Sequence, residues 1–279
     1  MPERYEGTDE ASELTLSVRY GEIGENGVAT LSSLANWLQE AAGRNADRLG
    51  FGEEQLLPYG LTWVLTRLVL RMTRLPRAGE ELLIHTWPST LDRFGHRGYE
   101  VYDGSGQLIA SAGSAWSVMD IAGRAMAQLP APLAPKYPRA PRPCEPFSCR
   151  VIPRPDTELA QSCPIRVRRD DLDINGHVNN TRYLAWLLET LPPAPALTHG
   201  WKEPLMPKLV DITFRAESFP KDELVCLCGP AKTPVETPQD VFGRPAPCAR
   251  LHSIRRETDG KEVCRALTLW ERAPEAQEA

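Results

Sequence analysis

The segment Asp171-Leu172-Asp173-Ile174-Asn175-Gly176-His177-Val178-Asn179-Asn180 lies between a short extended run and a helical stretch. Asp173, Asn175 and His177 alternate along it. Further on, Val210, Ile212, Phe214 and Ala216 share one face of a strand pattern, and Glu217 ends that strand on the face of Asp211, Thr213 and Arg215. Two carboxylates, an amide and an imidazole are groups of general acid–base chemistry. A carboxylate or imidazole takes a proton from water, and N–H donors stabilise an oxyanion. The same letters also build turns: Asp173, Asn175 and Gly176 are turn residues, and Asn179 and Asn180 are helix caps first. Glu217 alone reads equally as a surface partner for Arg215. Spacing leaves both readings open. Asp-x-Asn-x-His offers mixed ligands with no closing set of His or Cys, so no metal is expected.

A strand and a helix must position these groups. Ile165–Arg169 is extended, and Asn179 or Asn180 caps a helix with Tyr183, Trp186, Leu187 and Leu191 on its apolar face, ended by Pro192-Pro193. Strands are predicted at Leu209–Ala216, Glu223–Cys228, Ala249–Arg255 and Val263–Trp270, with a proline-rich loop over 230–247.

The first half has the same order. Leu14, Leu16, Val18 and Tyr20 alternate as a strand. Leu34, Leu38, Ala41, Ala42 and Leu49 recur at helical spacing, with Gly50 as the stop. Strands follow at Trp63–Thr73, Glu81–Trp87, Gly95–Tyr102 and Leu108–Met119, the last two joined by the hairpin letters Asp103-Gly104-Ser105-Gly106.

The letters repeat as well. Val18-Arg19, Asn26-Gly27, Trp37-Leu38 and Glu40 match Val167-Arg168, Asn175-Gly176, Trp186-Leu187 and Glu189 at a single offset of 149. Arg71 to Pro76 parallels Arg215 to Pro220 at an offset of 144. This is a tandem duplication of domain size. Each unit is α+β, one long helix lying on a curled antiparallel sheet. Nine prolines between Pro130 and Pro155 make a semi-rigid connector. The domains are therefore 12–126, a linker over 127–160, and 161–272. The duplication is an internal control: Asp173 aligns with Gly24, His177 with Val28 and Glu217 with Thr73, while Asn175 has a counterpart in Asn26. One half carries the chemistry and the other lacks it.

The 279 residues carry 32 Lys+Arg against 37 Asp+Glu, a net charge of −5. Nucleic acid and anionic membranes are poor partners for such a surface. No apolar run is long enough to span a membrane, and the N-terminus has neither signal-peptide nor transit-peptide character. Seven cysteines without Cys-x-x-Cys read as reduced thiols, with Cys226 and Cys228 on one strand face. A cytoplasmic protein is expected.

At these residues the sequence resembles the acyl-acyl-carrier-protein thioesterases of plant plastids and their bacterial relatives, over about residues 12–272. Asp171 to Tyr183 looks like the family's catalytic segment. Leu34 to Ala42 looks like its N-terminal helix, and Trp63 to Arg67 and Leu75 to Glu80 like its first-half strand and turn. The resemblance implies a double hotdog fold and hydrolysis of the thioester between a fatty acyl chain and the phosphopantetheine arm of acyl carrier protein, with no cofactor. Asp173, Asn175 and His177 fall on the family's Asp-x-Asn-x-His, and Glu217 on its catalytic glutamate. Ser218 stands where plant members carry a cysteine once proposed as nucleophile, which weakens a cysteine mechanism here.

On that basis Glu217 is expected to act as general base or carboxylate nucleophile, raised in pKa by partial burial, with Asp173 nearby as a second charge or as an orienting group. The helix N-terminus near Asn180, with Asn175 or His177, is the expected oxyanion site. Trp37, Trp63 and Trp116 are candidate walls of an acyl tunnel, beside their plainer reading as core. Arg166, Arg168, Arg169 and Arg182 are candidates for docking the acidic carrier protein, beside their plainer reading as a solvated face. Three other readings compete: an acyl-coenzyme A thioesterase, an acyl-binding module without turnover, and a hydratase or dehydratase. A monomer is feasible, and a homodimer is the other expectation.

Overall fold

Leu14 and Leu16 turn inward from β1 (Ser12–Ser17), and the chain then enters α1 (Leu31–Arg48) in a computed structural model that describes residues 9–158, 160–191, 205–231 and 248–272. Thr30 caps α1 by accepting the Ser33 N–H at 3.0 Å. Leu31, Leu34, Ala35, Leu38, Ala41 and Ala42 bury one stripe of it, and Gly50 at φ +75° takes the left-handed position that ends it. A short helix α2 (Glu53–Leu56) leads to β2 (Leu61–Met72), β3 (Glu81–Leu91), β4 (Gly95–Asp103), β5 (Leu108–Asp120) and the short β6 (Ala125–Met126). The second half runs β7 (Gln161–Arg166), α3 (Asn180–Leu188), β8 (Leu205–Phe214), β9 (Glu223–Pro230), β10 (Cys248–Arg256) and β11 (Glu262–Arg272).

These strands form one antiparallel sheet in the order β1-β3-β4-β5-β2-β8-β11-β10-β9-β7, with β6 beside β5. Exchanging each first-half strand for its second-half counterpart reverses the order onto itself. The seam is β2 against β8, where Leu68 faces Ile212, Arg67 faces Thr213 and Val69 faces Asp211. Leu68 and Ile212 are themselves related by the 144 offset, so the seam carries a local two-fold axis. The offset of 149 has the same physical content. Gly24 N–H bonds Val28 O at 2.8 Å as Asp173 N–H bonds His177 O at 2.7 Å. Arg19 N–H bonds Glu22 Oε2 as Arg168 N–H bonds Asp171 Oδ2, both at 2.8 Å. Gly27 and Gly176 hold the same left-handed turn at φ +74° and +75°. The helices meet across the axis, where the Ser32 hydroxyl donates to Thr181 O at 2.8 Å.

The helix-side face of the sheet forms the main core with α1 and α3. The opposite face is covered by the proline-rich segment, whose Ile152, Phe147 and Cys149 pack on Val69, Leu209, Leu251 and Leu267. Gly113 permits that approach, since a Cβ there would lie 2.2 Å from Glu145 O. The connector thus packs onto the sheet at Glu145, Phe147, Cys149 and Ile152. No disulfide joins the described cysteines.

Some predicted boundaries move. Tyr20 leaves the first strand for a turn over Tyr20–Glu22 and is 86% exposed. The extended run before the Asp171–Asn180 segment ends at Arg166, and Arg169–Asp171 form a turn. β8 stops at Phe214, short of Ala216 and Glu217, because Arg215 N–H and Ala216 N–H both turn to Val263 O. Pro192-Pro193 and residues 232–247 lie outside the described residues.

One core group makes stability depend on pH. His252 is wholly buried, its Nε2 2.9 Å from Thr268 Oγ1. Burial, with the Arg250 charge, pushes its imidazole down to about 3. The fold holds it neutral while the unfolded chain protonates below about 6.5, so its contribution is complete above that pH and lost as pH falls toward 3. The unfolding free energy from denaturant titrations is expected to drop by about 1.4 kcal/mol per pH unit below pH 6 from this group. His252→Gln should flatten that slope, and an identical slope in the variant would refute the assignment.

Candidate active site

The loop from Asp173 to His177 is closed by its own backbone. Asp173 Oδ1 accepts the N–H groups of Asn175 at 2.9 Å and His177 at 3.2 Å. Gly176, left-handed, bends the chain back so that His177 faces the segment beyond β8. Val178 N–H bonds Ser218 O at 3.0 Å and ties that segment to the loop. His177 Nδ1 thereby lies 3.4 Å from Glu217 Oε1. The Phe219 ring packs edge-on against the imidazole, with centroids 5.2 Å apart.

The four expected residues divide. His177 and Glu217 meet. Asp173 organises the loop, and none of its described contacts reaches Glu217. Asn175 is exposed at the loop tip and makes no described side-chain contact with the pair. Glu217 was expected to be partly shielded as a strand-end residue; it lies past the strand, with its side chain 40% exposed.

The oxyanion expectation narrows too. The Asn179 side chain takes the Thr181 N–H at 3.0 Å, and Asn179 O takes the Arg182 N–H at 2.9 Å. Those helix-start donors are committed. Ser218 is fully buried, and its Oγ accepts the Tyr183 hydroxyl at 3.0 Å. It braces the segment from behind and faces no open space. Burial raises the Tyr183 phenol well above its usual range, so this bond stays protonated.

Arg124 escaped the sequence reading. It sits in the β5–β6 turn of the first half, yet its guanidinium donates to Glu217 Oε2 at 2.9 Å and lies 3.5 Å from His177 Nε2. An arginine in a surface turn gives no signal in the letters. It becomes visible only because β2 lies between the end of β5 and the end of β8.

Two residues past Arg124, Met126 lines a cleft of about 700 Å³ with Trp63, Gly95, Trp116, Val118 and Leu129. Trp37 is no part of it. It is buried in the core, its indole N–H donating to Glu22 Oε1 at 2.9 Å. A groove of about 780 Å³ under the proline-rich segment carries none of the catalytic candidates. Of the arginines, Arg182 donates to Asp170 O at 2.7 Å, and Arg168 lies 3.5 Å from the buried Asp171. Arg166 and Arg169 are exposed.

Family models describe both halves: the acyl-ACP thioesterase N-terminal domain matches residues 11–137, and the C-terminal domain matches 155–272. The chain is 27% identical over 284 residues to oleoyl-acyl carrier protein thioesterase 1 of Arabidopsis thaliana, covering 92% of this chain and 75% of that protein. It is 30% identical to a palmitoyl-acyl carrier protein thioesterase of Cuphea hookeriana, over 91% of this chain and 60% of that one. The structure of an acyl-ACP thioesterase from Bacteroides thetaiotaomicron superposes with a TM-score of 0.76 at 25% identity, over 94% of this chain and 98% of that one. The 12:0-ACP thioesterase of Umbellularia californica shares the fold, with a TM-score of 0.78 at 22% identity over 94% of each chain. With both domain models matched in order along its length, the chain belongs to the acyl-ACP thioesterase family.

Proposed function

We propose that the protein hydrolyses fatty acyl-acyl carrier protein to free fatty acid and carrier protein, with Glu217 and His177 as the reacting pair. The observation that carries this is their contact at 3.4 Å, where the first half has Val28 and Thr73 in their places. Glu217 takes a proton from water as the water oxygen attacks the thioester carbonyl. The carbonyl electrons move to oxygen, where the His177 imidazole is the donor at hand. Collapse breaks the carbon–sulfur bond. A thiol pKa near ~8.5 makes the phosphopantetheine thiolate a good leaving group, and the proton held by Glu217 completes it. Asp173 keeps the loop in register.

The acyl chain lies in the cleft between Trp63 and Trp116. The acidic carrier protein meets Arg166 and Arg169, with Arg168 and Arg182 shaping that rim. The halves are two hotdog units, 12–126 and 161–272, joined by 127–160. The shared hydrogen bonds at one offset support this reading. Both units sit in one chain, so a monomer holds a whole site; a homodimer would leave it unchanged, and sedimentation velocity distinguishes them. No described helix is long and apolar enough to cross a membrane, and we place the protein in the cytoplasm.

The test is thiol release from carrier-protein thioesters of graded chain length beside the same acyl groups on coenzyme A. Faster turnover on carrier protein is expected. Equal turnover on both would favour a coenzyme A thioesterase, and binding without release an acyl-binding module.

A further inference from the structure

The base in the second half is held by a residue from the first. Arg124 donates to Glu217 Oε2 at 2.9 Å, while the other oxygen, Oε1, faces His177 Nδ1 at 3.4 Å. Its guanidinium also lies 5.4 Å from the centroid of Phe219, the ring on which His177 packs. Arg124 from the first half and His177 from the second thus pack on one aromatic ring.

Stability does not account for this arginine. The side chains of Arg124 and Glu217 are 58% and 40% exposed, and exposed ion pairs contribute little. The backbone at Arg124 has φ +48°, a conformation that suits glycine better than arginine. Gly123, which would take it without strain, stands one position earlier, where its N–H bonds the Asp120 side chain. A strained non-glycine residue beside a reacting pair points to function.

The turn is firmly placed. Ile121 N–H bonds Gly60 O at 2.9 Å, and Ala127 N–H bonds Val118 O at 2.8 Å. Two residues past Arg124, Met126 lines the cleft. One hairpin therefore carries both a wall of the acyl site and the group that grips the base.

We propose that Arg124 is a positioning residue: it fixes one oxygen of Glu217 so that the other stays directed at His177 and the attacking water, which makes the site a joint product of both halves. This rests on Glu217 being the base. Arg124 acts through Glu217 and does not itself exchange protons.

The test compares Arg124→Gly, Arg124→Lys, Glu217→Gln and the double variant Arg124→Gly/Glu217→Gln on acyl-carrier-protein thioesters. Glycine suits the left-handed backbone, so Arg124→Gly is expected to fold with an unchanged or higher Tm. Its kcat should fall about 10–100-fold, the size of effect that misplacing a reacting group produces, with KM nearly constant. Arg124→Lys should recover part of the loss, and added guanidinium ion should partly restore Arg124→Gly. The double variant should be no slower than Glu217→Gln alone, because the two residues act as a unit. A raised KM at constant kcat would make Arg124 a substrate ligand and overturn the proposal, as would additive losses in the double variant. Wild-type kcat in Arg124→Gly with an inactive Glu217→Gln would remove only this inference. An active Glu217→Gln would instead remove the base assignment beneath it.

Discussion

Glu217→Gln is expected to slow thioester hydrolysis by about 10²–10⁴-fold, the range that a positioned general base supplies. Glutamine keeps the shape of the side chain and an oxygen able to accept from Arg124. It loses the capacity to take a proton from water. Because Glu217 lies beyond the end of β8 and is 40% exposed, the variant should keep the wild-type Tm, and lost turnover then reports chemistry. Thiol release under saturating substrate measures it. Activity within about tenfold of wild type would move the base elsewhere, and Asp173 would be the next residue to change. Asp173 is a poorer choice on geometry, since its Oδ1 already accepts two loop N–H groups.

Asp211→Ala is expected to cost about 3–5 kcal/mol of folding stability, the loss typical when one partner of a buried ion pair is removed. Asp211 is fully buried on the seam strand and is gripped by Arg67 at 2.8 and 2.9 Å through both oxygens. The Ser148 N–H of the proline-rich segment bonds the same carboxylate at 2.7 Å. Arg67 also donates to Cys149 O at 2.7 Å and lies over the Phe147 ring. One pair therefore clamps both halves and the segment covering the sheet. Without Asp211 a guanidinium with 13% side-chain exposure loses its counter-charge. The midpoint of thermal unfolding should drop by roughly 10 °C. Arg67→Met/Asp211→Leu should recover most of it, because apolar groups of similar volume replace a buried pair well. A single variant within about 1 kcal/mol of wild type would show that the seam tolerates the loose charge.

Arg67 and Asp211 also illustrate what letters withhold. They are related by the same offset of 144 that relates Leu68 to Ile212, and in sequence both read as outward-facing charges on alternating strands. Closing β2 against β8 puts that outward face under the proline-rich segment, and the two charges become a buried pair. Ser218 changes meaning in the same way. By position it invited comparison with a nucleophile; by burial it is a brace for Tyr183.

The sequence by itself determined the α+β character, the helix stripes, the repeat and the loop chemistry. Each rests on local periodicity or on turn residues that act within a few positions. The 149 offset even anticipated paired hydrogen bonds, because equal letters in equal turns close equally. Only the tertiary structure decided that His177 meets Glu217, that Asn175 stands off at the loop tip and that Arg124 joins them from the other half. Those contacts depend on strand order and on where β8 ends. Both are set by pairing between segments far apart in the chain, which no local pattern encodes.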